Sequence, residues 1–329
     1  MPYNCIVPIK QVPDTKRVTS NAMTEDGTVN RAELPLIFNP EDLNALELAI
    51  QIKEKFGGKV TAITMGLPSA SDILRESLYR GADQAVLITD RRAAASDTLA
   101  TSYIINCAIR KMDYDIVLCG RQAIDGDTAQ VGPQLAEKLG ITQITYVEQL
   151  ISLEGSTITA RRNIGNGWQE VQTELPVLLT VTSDANEPRV AAAKRMMRCK
   201  NARTPIEIEQ EIRSQKTEDR RQGAEDRRQT ANNRAATVRE RKTEISEVEI
   251  KKLVEHKCAE LEKKGLLMKQ WDLDFVEADL NWCGRDGSPT KVHRIQSVVL
   301  AAKENKNIEP SAKGISDMVH ELIIDKTIS

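Results

Sequence analysis

The chain has 329 residues, of which 40% are hydrophobic, enough apolar material for one large α/β domain with appendages or for two modest domains. A formal net charge of −2 and only 3% aromatic residues argue against a general nucleic-acid binder, which needs a basic surplus and stacking platforms. No apolar run approaches the roughly 18 residues of a membrane span, and no basic stretch leading into an apolar one marks a secretory leader, so a cytoplasmic protein is expected.

The first two hundred residues alternate strand-like and helix-like segments. Residues 5–9 form a short apolar run suited to a buried strand. Asn39-Pro40-Glu41-Asp42 has the composition of a helix start: an N-cap Asn, Pro in the first turn, and acids over the positive helix end. Leu43, Leu46 and Ile50 give that helix an apolar face, and Gly57-Gly58 ends it. A second strand follows at 60–65, a helix from Ser69 to Gly81, and a third strand at 85–88. Asp97 can cap a helix carrying Leu99, Ile104, Ala108 and Ile109; a fourth strand occupies 116–119, and Gly120 breaks it. A further helix is expected from about Thr128 to Leu139, stopping at Gly140. Such alternation predicts a doubly wound α/β fold, a parallel sheet with helices on both faces.

After Gly140 short β segments are expected at 144–147, 156–162 and 168–173, and the run 175–182 is expected to return to the sheet. Residues 213–243 carry ten Lys or Arg against five Asp or Glu and almost no large apolar side chains, and Glu-Asp-Arg-Arg-Gln occurs at both 218–222 and 225–229. That composition cannot fill a core, which leaves a flexible linker or a solvated helix. A helix follows at 246–264 with Ile250, Leu253, Lys257 and Leu261 on its face. A loop at 283–290 then leads into an apolar stretch at 298–301. The last helix places Ile315, Met318, Val319, Leu322 and Ile323 on one stripe, which calls for a covering surface in this chain or another.

In an open parallel sheet, ligands bind beyond the carboxyl ends of the strands, near the point where strand order reverses. The loop 120–132 is the most informative segment at such an end. It follows a strand, opens a helix and is rich in small residues, so N–H groups at 128–130 could face an anion. The alternative is a plain cap, with Asp127 answered by Gln130 as in a capping box. Neither the Gly-x-Gly-x-x-Gly fingerprint after the first strand nor a P-loop is present, and no nucleophile stands beside a base. The six cysteines include no Cys-x-x-Cys pair, and the three histidines all lie beyond position 255, so no metal or iron–sulfur motif is legible. The chain has the features of a cofactor holder and not of a side-chain catalyst.

Five segments together carry a resemblance: Lys10-Gln11-Val12-Pro13-Asp14, Asn39-Pro40 with its helix, Gly81-Ala82-Asp83, the 120–132 loop, and Asn186-Glu187-Pro188-Arg189. Over residues 3–203 the chain resembles the electron transfer flavoprotein beta subunit family, whose bacterial members include the FixA type. The resemblance implies an adenine-nucleotide-binding, Rossmann-like α/β domain over 1–203; the charged flexible linker expected over 204–245 departs from the family's pattern. A C-terminal extension over 246–329 would then supply helices that pack on a partner subunit. It also implies a nucleotide site lined by Ile9, Asn39, Met65, Gly66, Asp125, Gly126, Asp127, Thr128, Ala129, Gln130, Val131 and Gly132. Backbone N–H groups at 126–130 would hold phosphates, with Thr128 and Gln130 as side-chain donors and Asp125 orienting the loop. Ala193, Lys194, Arg195, Met196 and Met197 correspond to the loop that partner dehydrogenases recognise, although some relatives carry leucine in place of Ala193. The 161–180 stretch resembles the family signature, but with Gly165-Asn166-Gly167 where some members have an acidic turn.

Family members hold either AMP or a second FAD in this site. In the electron-bifurcating group that second flavin takes a hydride from NADH and divides its electrons. The 125–133 loop and Gly-Ser-Pro-Thr-Lys-Val at 287–292 resemble that group. The implied partners are an alpha subunit, a flavin dehydrogenase, and a ferredoxin or quinone-linked acceptor. A different reading on the same fold type is a non-redox adenine-nucleotide sensor resembling universal stress proteins.

Overall fold

The computed structural model describes residues 1–14, 34–231, 247–290 and 311–324. One unit holds the described residues up to 290, and the described part of a second unit is the helix near the C-terminus. In chain order the first unit begins with β1 (Cys5–Pro8), β2 (Gln11–Pro13), β3 (Leu36–Phe38), α1 (Pro40–Phe56) and β4 (Val60–Met65). Next come α2 (Ser71–Arg80), β5 (Gln84–Ile88), α3 (Thr98–Ile109), β6 (Ile116–Gly120) and α4 (Val131–Leu139). Then follow β7 (Thr142–Glu154), β8 (Thr157–Asn163), β9 (Trp168–Glu174), β10 (Val177–Val181) and α5 (Ala193–Cys199). The unit closes with α6 (Pro205–Ala231), α7 (Glu247–Lys263), β11 (Lys269–Trp271) and α8 (Gly284–Gly287). The second unit contributes α9 (Ala312–Ile324).

Among the described residues nine strands form one sheet in the order β11-β5-β4-β1-β6-β10-β7-β8-β9. Every pair from β11 to β7 is parallel, and β8 and β9 add antiparallel. The fold is therefore the doubly wound α/β arrangement that the alternation predicts. The apolar strands are buried on both faces because their side chains alternate between two helix layers. Cys5 and Val7 of β1 join Ile116 and Leu118 of β6 in a cluster with α1 and α2. Ile6, Val117 and Cys119 point the other way, into a cluster with α3 and α4.

The order matters for function. After β1 the chain builds outward through β4 and β5, then crosses back to lay β6 on the other side of β1. The strand order reverses between β1 and β6, and in an open α/β sheet the ligand crevice lies at such a point, beyond the carboxyl ends of the strands.

The expected β run at 175–182 does return to the sheet, as β10 between β6 and β7. The charged region takes the helical of its two readings as far as Ala231, and residues 232–246 lie outside the described residues. Its start is secured by a capping box: Thr204 Oγ1 accepts the Glu207 N–H at 3.4 Å, and Glu207 Oε2 accepts the Thr204 N–H at 2.8 Å. The chain leaves the body at Arg203 and rejoins it at Leu267, which form a parallel bridge, with α6 and α7 packed on each other between them. On α7 the inward positions are Ile250, Val254, Cys258 and Leu261, whereas Leu253 and Lys257, expected on that face, are exposed. The buried stripe advances in steps of three and four, as it does where two helices pair along their length. β11 then pairs with β5 and buries Trp271 beside Leu273 and Val276 in the α3 layer. The 298–301 stretch lies outside the described residues; on α9, Ile315 and Val319 are exposed. No helix among the described residues is long and apolar enough to cross a membrane.

Candidate functional site

The crevice is held shut at its base by side chains from the first turn of α1. Asn39 stands at the N-cap position but makes no side-chain cap. Its amide instead spans the crevice, donating to Gln122 O at 2.9 Å and accepting the Ile124 N–H at 3.1 Å. Asp42, buried, accepts the Lys10 N–H at 2.8 Å on one oxygen and the Gly120 N–H at 3.2 Å on the other. It thus ties the ends of β1 and β6 together. Residue 120 must be glycine for this approach, since a Cβ there would lie 2.4 Å from Asp42 Oδ1. Burial pushes the Asp42 carboxyl up to about 7, against the pull of its hydrogen-bond donors, because a charge without water costs more than these donors return. Glu41 completes the set, accepting the Gln122 N–H at 3.0 Å and pairing with Arg121 at 2.9 Å.

The loop these groups position differs from the expected one. The helix begins at Val131 and not at Thr128, and the residue preceding it, Gln130, makes no side-chain cap. Asp127 is not the cap residue either; its carboxylate accepts from Gln122 Nε2 at 3.2 Å. The cause is backbone handedness, because Asp127 and Ala129 have φ of +48° and +52° and cannot extend a right-handed helix. A left-handed residue followed by the right-handed Gln130 turns successive N–H groups toward one point, an anion-binding nest. Among the described residues the N–H groups of Thr128, Ala129, Gln130, Val131 and Gly132 have no protein acceptor. Gly132 lets the first turn of α4 sit on β10, where a Cβ would meet Thr180 Cγ2 at 2.8 Å.

A carboxylate beside such a nest would repel an anion, and Asp125 is placed there. The structure supplies the compensation: Lys10 Nζ meets Asp125 at 2.7 and 2.8 Å, across 115 residues of sequence. The loop therefore presents its N–H groups without an uncompensated negative charge. Gln130 is held from α3, with Thr98 Oγ1 donating to its Oε1 at 2.9 Å.

Of the residues expected at the site, Asn39 and the 125–132 loop come together around this crevice. Met65 and Gly66 end the neighbouring strand β4, where the Gly66 N–H bonds Ile88 O at 3.0 Å. Ile9 lies at the end of β1, and its side chain packs into the core on the α1 face. Glu41, Asp42 and Thr98 lie outside the expected site residues, and Lys10 and Arg121 fall within the expected strand-end segments but without an expected role. Their only sequence signal is charge or polarity at a strand end or helix start, which a helix cap explains equally well. A separate apolar groove beside Leu36, Phe38 and Leu43 carries Asp72 and Glu76, and those carboxylates make it a poor place for phosphate.

Ala193 to Met197 lie away from the crevice, on α5, with Met196 and Met197 exposed. The segment before them is bolted to α1. Asn186 and Asn44 exchange side-chain to backbone hydrogen bonds at 2.7 and 3.0 Å. The Arg189 guanidinium grips Glu47 at 2.7 Å and Glu54 at 2.9 Å. Burial opposes ionisation of Glu47, yet the Arg189 hydrogen bonds hold its carboxyl below the ordinary range. The helix that organises the crevice at one end thus anchors residues 186–189 along its flank, while α5 itself packs on α2.

A model of the electron transfer flavoprotein domain matches residues 26–207. An electron transfer flavoprotein subunit beta from Thermoanaerobacterium thermosaccharolyticum is 51% identical over 191 residues, covering 58% of this chain and 72% of the relative. A FixA protein of Azorhizobium caulinodans is 46% identical over 208 residues, covering 61% and 73%. The acryloyl-CoA reductase electron transfer subunit gamma of Anaerotignum propionicum is 46% identical over 201 residues, covering 60% and 73%. These likenesses favour an electron-transfer protein over a nucleotide sensor.

Proposed function

This chain belongs to the electron transfer flavoprotein family as a beta subunit of the FixA type, and from that premise we propose that its crevice holds the ADP portion of FAD, or AMP in the same place. The observation that carries the proposal is the nest at 128–132, whose N–H groups have no acceptor among the described residues and sit at the strand-order reversal, with the nearby Asp125 compensated by Lys10. Thr128 adds a hydroxyl donor, and Asn39 fixes the loop from below. In this role the protein binds, orients and electrostatically tunes, while a bound flavin would supply the electron chemistry. The chain pairs with an alpha subunit and passes electrons between a flavin dehydrogenase and an acceptor in the cytoplasm. The exposed segment Ala193, Lys194, Arg195, Met196 and Met197 meets the dehydrogenase.

The Asp-Gly-Asp-Thr-Ala-Gln-Val-Gly-Pro loop and the Gly-Ser-Pro-Thr segment support the bifurcating form, with FAD in the beta site, NADH as donor, and ferredoxin and a quinone-linked carrier as acceptors. The test is to co-purify the chain with its alpha subunit and quantify FAD and AMP released by acid. Two FAD and no AMP per heterodimer support bifurcation, whereas one of each makes an ordinary carrier with a structural nucleotide. A heterodimer that releases flavin from the alpha subunit alone, with nothing in the beta site, contradicts the assignment. Within the site, Thr128→Ala is expected to weaken retention of AMP. Asp83→Ala is not, because Asp83 serves the opposite end of β4, accepting the Val60 N–H at 2.9 Å.

A further inference from the structure

Residues 284–290 are seated on the turn that precedes α3. Gly284 donates its N–H to Ser96 Oγ at 3.0 Å, and it packs so closely that a Cβ would lie 2.2 Å from Arg92 O. Ser288 is buried; its hydroxyl donates to Gly284 O at 2.6 Å and accepts the Asp97 N–H at 2.9 Å. Thr290 donates both its N–H, at 2.9 Å, and its hydroxyl, at 2.5 Å, to Asp97 Oδ2. The other carboxylate oxygen of Asp97 caps α3 through the Ala100 N–H at 2.9 Å. The turn beneath is strained, with Ala95 at φ +59°, a conformation that persists only where the surroundings impose it.

The residue after Asp97 belongs to a different set of contacts. Thr98 Oγ1 donates to Gln130 Oε1 at 2.9 Å, and Gln130 follows the left-handed Ala129 in the nest. Two sets of hydrogen bonds, joined only by the peptide bond between Asp97 and Thr98, therefore connect Ser288 and Thr290 to the ligand loop, although 160 positions of sequence separate Gln130 from Thr290.

We propose that Ser288 and Thr290 are positioning residues for the nucleotide loop. Seated on Asp97 they fix Thr98, and Thr98 holds Gln130 in the conformation that aims the N–H groups. The proposal deepens the nucleotide-site reading and rests on it. A network of this kind transmits in both directions, so a nucleotide that orders the loop also tightens the 284–290 segment.

Amide hydrogen exchange tests it, on the full chain co-purified with its alpha subunit and stripped of nucleotide. Thr290→Val, which keeps the shape and removes the hydroxyl donor, is expected to speed exchange at 126–131 by about fivefold. Thr290→Ser is expected to restore the wild-type rates, and Ser288→Ala to reproduce the Thr290→Val pattern. AMP, added as the probe, is expected to bind Thr290→Val about fivefold more weakly than wild type. Faster exchange confined to 96–100 and 284–290, with 126–131 unchanged, overturns the proposal and reduces the segment to a staple. Because the exchange comparison is made without nucleotide, it stands or falls separately from the functional reading, which fails if neither AMP nor FAD binds the wild-type protein.

Discussion

Helices α1 and α3 both begin at the carboxyl edge of the sheet, and both begin with a residue suited to capping. At α3 the signal means what it says: Asp97 accepts the Ala100 N–H and caps the helix. At α1 the same kind of signal is misleading, because Asn39 and Asp42 leave their own helix and bond across the crevice to 122, 124, Lys10 and Gly120. The difference comes from position in the sheet. α1 begins at the end of β3 beside the gap between β1 and β6, where two strand ends and a loop expose N–H groups that need acceptors. A residue type that caps a helix will satisfy those groups instead when they are closer to hand.

The comparison can be broken by substitution. Asp42→Ala strands two N–H groups, one of them on buried Gly120, and is expected to cost about 2–4 kcal/mol in urea unfolding. A loss below about 1 kcal/mol would mean that water replaces the carboxylate and that the bolt is unnecessary. Asp97→Ala removes a cap together with the Thr290 contacts and is expected to cost about 1–2 kcal/mol.

The two acids also respond to pH in opposite senses. The folded-state value of Asp42 is raised to about 7, so its contribution is present at acid pH and is lost as pH rises through neutrality. Burial works against the Asp97 carboxylate, but the hydrogen bonds from Ala100 and Thr290 hold it below the ordinary range, so its contribution is present near neutrality and is lost as pH falls. Urea midpoints measured between about pH 5 and 8 should therefore fall less steeply with rising pH in Asp42→Asn than in wild type. Identical slopes would show that Asp42 keeps an ordinary carboxylate value.

The smallest expected change in stability comes from Lys10→Gln. The Lys10–Asp125 pair is half exposed and is worth about 0–1 kcal/mol to folding. Binding should suffer more, with AMP affinity falling roughly tenfold as a positive charge is lost beside the nest. Equal affinity would remove Lys10 from the site.

How far the sequence foretold this structure depends on the range of the interaction. Apolar periodicity, the Gly stops and the Asp97 cap are local, and β1, β4, β5, β6 and α1 to α3 form where those patterns place them. The start of α4 departs from the pattern because Asp127 and Ala129 adopt left-handed backbone that their side chains do not announce. The Lys10–Asp125 pair, the crossing of Asn39 and the seat of Thr290 on Asp97 join residues far apart in sequence, and no window of pattern contains both partners. β11 was hidden for the same reason: three residues beyond a long charged excursion become a strand only because the β5 edge receives them.

The most direct test of this account is nucleotide retention by the purified heterodimer after gel filtration, for wild type, Asn39→Ala and Asp83→Ala. The account predicts that Asn39→Ala loses the beta-site nucleotide while remaining paired with the alpha subunit, and that Asp83→Ala keeps it. Equal retention in the two variants would contradict the claim that the first turn of α1 builds the site.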